Sequence, residues 1–320
     1  MPSMKVMVTG ASGFVGEAVV FRLLREKRFT PVAAVRHATR LNGLCPVALL
    51  DLVNPEILPL LEDVKVVIHA AARVHVMNET SNDSLSAFRR INVDGTIRLA
   101  RHAARSGVKR FIFISSIKVN GEGTAINRPF LADDTPAPQD PYGISKHEAE
   151  EALKQLARET GMEVVIIRPP LVYGPGVKAN FMSMMRWLNL GVPMPLGALA
   201  NKRSLISVEN LVDLITVCID HPAAANQIFL ASDGEDLSTT ALLTRLAHAM
   251  GKKARLVPVP AWLLIGAAWL IGKQAVAQRV CGSLQVDIGK NRERLGWIPP
   301  VNVDKAMLRT AGDYLEKHQK

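Results

Sequence analysis

The sequence predicts an α/β fold, a doubly wound parallel sheet joined to a smaller C-terminal α/β domain. Three observations predict it. A short apolar run, Lys5 to Thr9, breaks into three glycines spaced three apart, Gly10, Gly13 and Gly16. Apolar runs of strand length then alternate with stretches of helical periodicity, the pattern that βαβ units with right-handed crossovers impose. Finally, 320 residues with 48% hydrophobic and 21% charged side chains suffice to bury a large core.

Taken in order, Gly10 permits a tight turn, Gly13 lets backbone approach a pyrophosphate and Gly16 lets the next helix pack on its strand. That helix is marked by Phe14, Val15, Ala18, Val19, Leu23 and Leu24, and its first N–H groups point at the anion. Pro31 to Arg36 reads as a second strand ending in a base. An acidic residue there bonds the ribose 2′-hydroxyl of NAD, whereas an arginine suits the extra phosphate of NADP. Arg36, with Ser12 in the turn and Arg40, therefore predicts NADP(H), with NAD(H) as the alternative. Val47 to Leu50 and Val64 to His69 are the next strands, the latter ending in Ala70, Ala71 and Ala72, whose small side chains leave room for a ligand. Ser84 to Ser106 has helical periodicity and contains INVDGT, and Lys109 to Ser116 is a fifth strand.

That strand delivers Ser115 and Ser116 at its carboxyl end, and a proline-rich loop, Asp133 to Pro141, leads to YGISK at Tyr142 to Lys146. Four-residue spacing at a helix start puts phenol and ammonium on one face. A phenol at its ordinary pKa of ~10 exchanges protons poorly at neutral pH, and a nearby lysine cation lowers that value. A serine hydroxyl on the neighbouring strand holds the oxygen that changes protonation. These groups predict hydride transfer at an alcohol or ketone.

Farther on, Glu163 to Pro170 is a sixth strand passing Arg168. Asn180, ahead of an apolar helix over Phe181 to Leu190, either binds a diphosphate with that helix's N-terminus or simply caps it. Lys118 and His75 are candidates for a ligand pocket. The apolar stretch Ala261 to Gly272 is shorter than the ~20 residues a spanning helix needs, so it predicts a buried or partly surface-docked helix. Cys45, Cys218 and Cys281 form no disulfide or metal pattern. The N-terminus runs straight into a strand without a cleavable leader, which predicts a cytoplasmic protein. The formal charge of +10 is spread along the chain without interleaved aromatics, which argues for small acidic ligands rather than nucleic acid.

The motifs TGASGFVG, INVDGT, SSIKVNG, YGISK and RPPLVYGPG resemble, in order and over nearly the whole chain, the extended short-chain dehydrogenase/reductases: nucleotide-sugar epimerases, dehydratases and reductases with a Rossmann-like sheet. The resemblance implies that Ser116 is the catalytic serine, Tyr142 the acid/base and Lys146 its partner on the cofactor ribose. It implies that the cofactor lies against the turn from Gly10 to Gly16, with Asp51 and Leu52 by the adenine, Ala70 and Ala71 beside the cofactor, and Pro169 near the nicotinamide. Arg203 resembles the family's arginine for the nucleotide diphosphate, and Arg279 is a weaker second candidate. Two departures stand out. Asn120 replaces a tyrosine common in the family, and Ile117 and Lys118 stand where 4,6-dehydratases carry an Asp-Glu pair, which disfavours dehydration.

The expected domains are 1–168 with about 203–225 for the dinucleotide, and about 169–202 with 226–320 for a UDP-sugar. The resemblance favours an NADP(H)-dependent reductase of the C4 ketone of a UDP-linked 4-keto-6-deoxy-N-acetylhexosamine, made for bacterial surface polysaccharide. The alternative is an NAD-dependent UDP-sugar 4-epimerase, and a third reading is a non-catalytic redox sensor. A homodimer through the INVDGT helix and the Tyr142 helix is expected, with Leu153, Leu156 and Ala157 available to it.

Overall fold

The computed structural model describes residues 3–54, 56–74 and 84–318. Strands β1 (Met4–Thr9), β2 (Phe29–Val35), β3 (Val47–Leu49), β4 (Val64–His69), β5 (Arg110–Ile114) and β6 (Glu163–Arg168) form a parallel sheet with β9 (Ile228–Leu230). Their order is β3-β2-β1-β4-β5-β6-β9, and a small second sheet has the order β10-β8-β7, from β7 (Leu171–Tyr173), β8 (Arg203–Ser207) and β10 (Asp236–Leu237). The helices are α1 (Phe14–Arg25), α2 (Ser84–Arg89), α3 (Thr96–Arg105), α4 (Pro141–Thr160), α5 (Ala179–Leu190), α6 (Val208–Asp220), α7 (Thr239–Ala249), α8 (Ala261–Leu270), α9 (Gln274–Cys281), α10 (Gly289–Leu295) and α11 (Val303–His318).

The strands are apolar on both faces because both faces are covered. Val6 and Val8 pack with Val19 and Leu23 of α1 and Leu211 and Ile215 of α6. Met7, pointing the other way, packs with Leu99 of α3 and Leu153 of α4. Each such side chain contributes roughly 1.5–3 kcal/mol of transfer free energy. A further core, with Tyr173, Phe181, Leu243, Leu246 and Met307, joins α5, α7 and α11. The strand order reverses between β1 and β4, and the crevice at the carboxyl ends of those strands is where such sheets bind ligands.

Two expectations change. The predicted helix over Ser84 to Ser106 is broken by a π-helical segment, Arg90–Gly95, between α2 and α3. β8 lies in the small sheet while β9 closes the large one. A parallel strand is reached only after its crossover helix, so the strand that extends the sheet follows α6 rather than preceding it. Leu153 and Leu156 are 0% and 5% exposed in this chain's own core, so they are not available to a second chain. Among the described residues no helix is long and apolar enough to cross a membrane.

Leu153→Ala is expected to destabilise the protein by about 2–5 kcal/mol, the cost of a buried leucine cavity. Urea unfolding measures it, and a loss below about 0.5 kcal/mol would show that this face of α4 is not core.

Candidate functional site

The glycine turn is built as its residue types require. Gly10 has a φ of +64°, and a Cβ there would lie 2.8 Å from the Ala71 nitrogen. The turn after β1 and the alanines after β4 are therefore pressed together across the reversal point. A Cβ on Gly16 would lie 2.2 Å from the Gly10 oxygen, so only glycine lets α1 sit this close. Gly13 N–H donates to Gly10 O at 2.8 Å, and Gly13 precedes α1 with no side-chain cap. The first turn, with Phe14 and Val15 half-buried and Ser12 exposed, leaves its N–H groups unclaimed by side chains. A close backbone approach and an uncapped helix start fit the pyrophosphate of a dinucleotide.

Around this turn, Leu52 O accepts from Arg98 Nη2 at 2.6 Å and lies where a Cβ on Gly95 would fall, 2.7 Å away. The Asp51 carboxylate accepts from Val53 N–H at 2.7 Å. Arg36 follows β2 and is exposed, whereas Arg40 is held by Glu17 of α1 through both carboxylate oxygens. His75 lies outside the described residues.

The three catalytic candidates lie at the end of β5, in the turn that follows it, and in the first turns of α4. Ser116 is half-buried, opens a short 3-10 turn over Ile117–Val119, and accepts from Lys118 N–H at 3.3 Å. Ile117 N–H donates to Pro169 O at 3.0 Å, which sets Pro169 beside Ser116. Asp140 caps α4 by accepting from Gly143 N–H at 2.6 Å and also pairs with Lys118 Nζ. Gly143, next to Tyr142, has so little clearance that a Cβ would lie 2.9 Å from Lys118 O. One turn on, the buried Lys146 ammonium donates to Ile114 O at 2.8 Å and sits 4.3 Å from the centre of the Phe113 ring. Tyr142 packs edge-on to Phe88 with ring centres 5.9 Å apart.

Below these groups is a buried network. Arg168 of β6, 1% exposed, grips both carboxylate oxygens of Glu150 of α4, 0% exposed, at 2.9 and 2.5 Å. Ser115 Oγ donates to the same carboxylate at 2.5 Å. The third arm of Arg168 donates to Asn120 Oδ1 at 2.9 Å, and Asn120 in turn donates to Leu131 O at 3.1 Å. Asn120, whose departure from the family pattern sequence alone left unexplained, is the residue that completes this network.

The structure also shows residues that the sequence reading passed over. His69 links Thr9 of β1, at 2.7 Å, to Thr96 of α3, at 3.0 Å. Burial, and secondarily Lys146, depress its pKa to about 3, so it is a neutral bridge beneath the crevice. A histidine closing the apolar run VKVVIH was the available signal. Asn92, inside the π-helical segment, holds the backbone of Arg73 at 2.8 and 3.1 Å and donates to Ser145 Oγ at 3.1 Å, tying the loop after β4 to α4.

Electrostatically the pair differs from expectation. Burial lowers the Lys146 ammonium to about 7, opposed by Glu150. The Tyr142 phenol moves up rather than down, first through burial and then through Asp140. The remaining candidates are dispersed. Lys118 is engaged by Asp140 and by Glu122, the latter at 3.1 Å. Asn180 is exposed in the first turn of α5, where Lys178 and not Asn180 holds the cap position. Arg203 starts β8 and donates to Gly282 O at 3.1 Å, immediately after α9, which carries the exposed Arg279. A surface cavity of about 390 Å³ lined by Lys154, Arg158, Asn226 and Lys290 takes in none of the candidate residues.

A family model described as the NAD dependent epimerase/dehydratase family matches residues 6–231. Over 318 residues the chain is 48% identical to UDP-glucose 4-epimerase of Vibrio cholerae, covering 98% of this chain and 97% of that protein. Among solved structures, UDP-glucuronic acid 4-epimerase from Bacillus cereus in complex with NAD aligns with a TM-score of 0.79 at 20% identity. UDP-glucose 4-epimerase from Thermotoga maritima with UDP-glucose gives 0.79 at 23%. Both alignments cover 99% of this chain and 100% of the other, and establish the shared fold.

In the protein stripped of dinucleotide, a nitrogen-15 NMR titration of the lysine side chains is expected to place Lys146 at a midpoint near 7, against ~10.4 for exposed lysines. A midpoint above ~10 would contradict the burial that sets it.

Proposed function

The chain belongs to the NAD dependent epimerase/dehydratase family, and on that premise we propose that it is a UDP-sugar 4-epimerase. What supports the reading is a glycine turn that fits a dinucleotide, Ser116 in the turn after β5 and Tyr142 and Lys146 in the first turns of α4, with no carboxylate directly after the serine. The 48% identity to a UDP-glucose 4-epimerase supports it over the C4 reductase that the sequence resemblance put first.

In this reading the large sheet holds the dinucleotide, and α5, the small sheet and the C-terminal helices hold the nucleotide sugar. When bound, the dinucleotide supplies a nicotinamide carbon that takes a hydride from C4 and returns it. Tyr142 accepts the O4 proton as the alcohol becomes a ketone and gives it back when the alcohol re-forms. Ser116 Oγ hydrogen-bonds O4 in both states. Lys146, one turn from the phenol, holds the ribose hydroxyls and sets the charge beside Tyr142. Inversion requires the keto sugar to present its other face before hydride returns. Neither the buried Ile117 nor the ion-paired Lys118 is a base for the C5 proton, so the sugar keeps its C6 hydroxyl.

Arg203 is the diphosphate ligand in this reading. A guanidinium fork matches phosphate oxygens, and burial that pulls its pKa below the ordinary value is relieved by an anion. Arg279 and Asn180 are placed on the flanking segments. Lys118 serves by fastening the Ser116 turn to the start of α4.

One observation favours a second reading, the NADPH-dependent C4 reductase. Arg36, exposed at the end of β2 with Ser12 in the turn, offers the ribose 2′ position a cation and not a carboxylate. The two readings separate in one assay. The epimerase converts UDP-glucose or UDP-N-acetylglucosamine to its C4 epimer, followed by proton NMR, without net consumption of cofactor. The reductase instead consumes NADPH in step with a UDP-4-keto-6-deoxy sugar.

Tyr142→Phe is expected to lower kcat by about 10²–10⁴-fold while the purified protein still binds dinucleotide. Retention of more than about half the wild-type rate would remove Tyr142 from the proton-transfer role.

A further inference from the structure

Helix α8 is apolar all round, AWLLIGAAWL, yet it buries no residue. A helix of that composition is ordinarily found in a core or in lipid. Here Trp262, Ile265 and Trp269 share one face by their spacing and are 70%, 49% and 68% exposed, with Leu270 and Ile271 at 79% and 68% beside them. The principal packing partner of α8 is α9, the next helix in the chain. At about 1.5 Å per residue its ten residues span ~15 Å, half the ~30 Å of a bilayer's hydrocarbon core, so α8 can lie in a membrane surface but cannot cross it.

Charge decides what covers this face. Between Asp236 and Asp287 the chain has no acidic residue but six basic ones, among them Lys253, Arg255 and Lys273 close to α8 on either side. These three are exposed and form no ion pair among the described residues. A second copy would bring the same positive charge against it, whereas an anionic surface would be attracted, at roughly 1 kcal/mol per basic residue near it. Tryptophans at the polar–apolar boundary together with lysine and arginine flanks are the chemistry of an interfacial anchor.

We propose that α8 docks the protein onto anionic lipid bilayers, with Trp262 and Trp269 in the headgroup region and the flanking basic residues on the lipid phosphates. The proposal is independent of the catalytic reading. Because Arg203 donates to Gly282 O just after α9, docking would hold the proposed diphosphate site next to the membrane surface.

Co-sedimentation of the full-length protein with phosphatidylglycerol-containing vesicles, and with phosphatidylcholine vesicles alone, tests this. Binding is expected only to the anionic vesicles, with a blue shift of tryptophan emission, and it should weaken with added salt. The double variant Trp262→Ser, Trp269→Ser should bind about tenfold or more weakly with little change in Tm, since these side chains are mostly exposed, and Lys253→Glu, Lys273→Glu should weaken binding similarly. No binding to anionic vesicles, or binding unaltered in both double variants, overturns the proposal. So does sedimentation velocity showing self-association that the tryptophan variant abolishes, because a second copy would then be the occupant.

Discussion

The buried grip of Arg168 on Glu150 is the interaction on which the rest of the site depends. Two charges removed from water cost several kcal/mol each unless geometry and further hydrogen bonds compensate. Here the guanidinium meets the carboxylate through two arms, Ser115 fills a remaining carboxylate position, and Asn120 takes the third arm. The four residues come from the end of β5, the turn after it, α4 and β6. Moving α4 or β6 would leave a charge unpaired in a dry interior, and moving the end of β5 or the turn would take a hydrogen bond from one of the two charges. Ser116 lies directly between Ser115 and that turn, and Tyr142 and Lys146 precede Glu150 on the same helix, so the network fixes the elements that carry all three.

The same dryness sets the titration behaviour around the site. Phe113 of β5 contacts both the Lys146 ammonium, 4.3 Å from its ring centre, and the stacked His69 imidazole, 5.9 Å away. Water is excluded from both, so the amine and the imidazole both favour their neutral forms, while the phenol of Tyr142 favours staying protonated. Glu150 opposes the loss of charge on Lys146, so the residue that clamps the helix also tunes the amine one turn before it.

Much of this was legible in the sequence. The glycine turn, the strand and helix alternation and the spacing of Tyr142 and Lys146 are local signals, readable because each is tied to backbone geometry or to the pitch of a helix. What was missed is long-range. The partners in Arg168–Glu150–Asn120 are 18 and 48 residues apart, and nothing local in a strand arginine or a helix glutamate tells that they meet. Leu153 and Leu156 looked available for a partner because helical periodicity shows that a face is apolar, not what it faces. The direction of the Tyr142 shift was missed because it depends on burial and on Asp140, neither of which the spacing of Tyr142 and Lys146 shows. The helix at Ala261 was seen as apolar, but that it buries no residue follows only from the packing around it.

The central claim is that the clamp holds the serine and the phenol on one oxygen of a nucleotide sugar. A crystal structure of the protein with dinucleotide and a UDP-hexose tests it most directly. The account predicts Ser116 Oγ and Tyr142 Oη both about 2.6–3.2 Å from the sugar O4, with Arg168 still closed on Glu150. A complex in which O4 is met by other side chains, with Ser116 or Tyr142 turned away from it, would contradict the account.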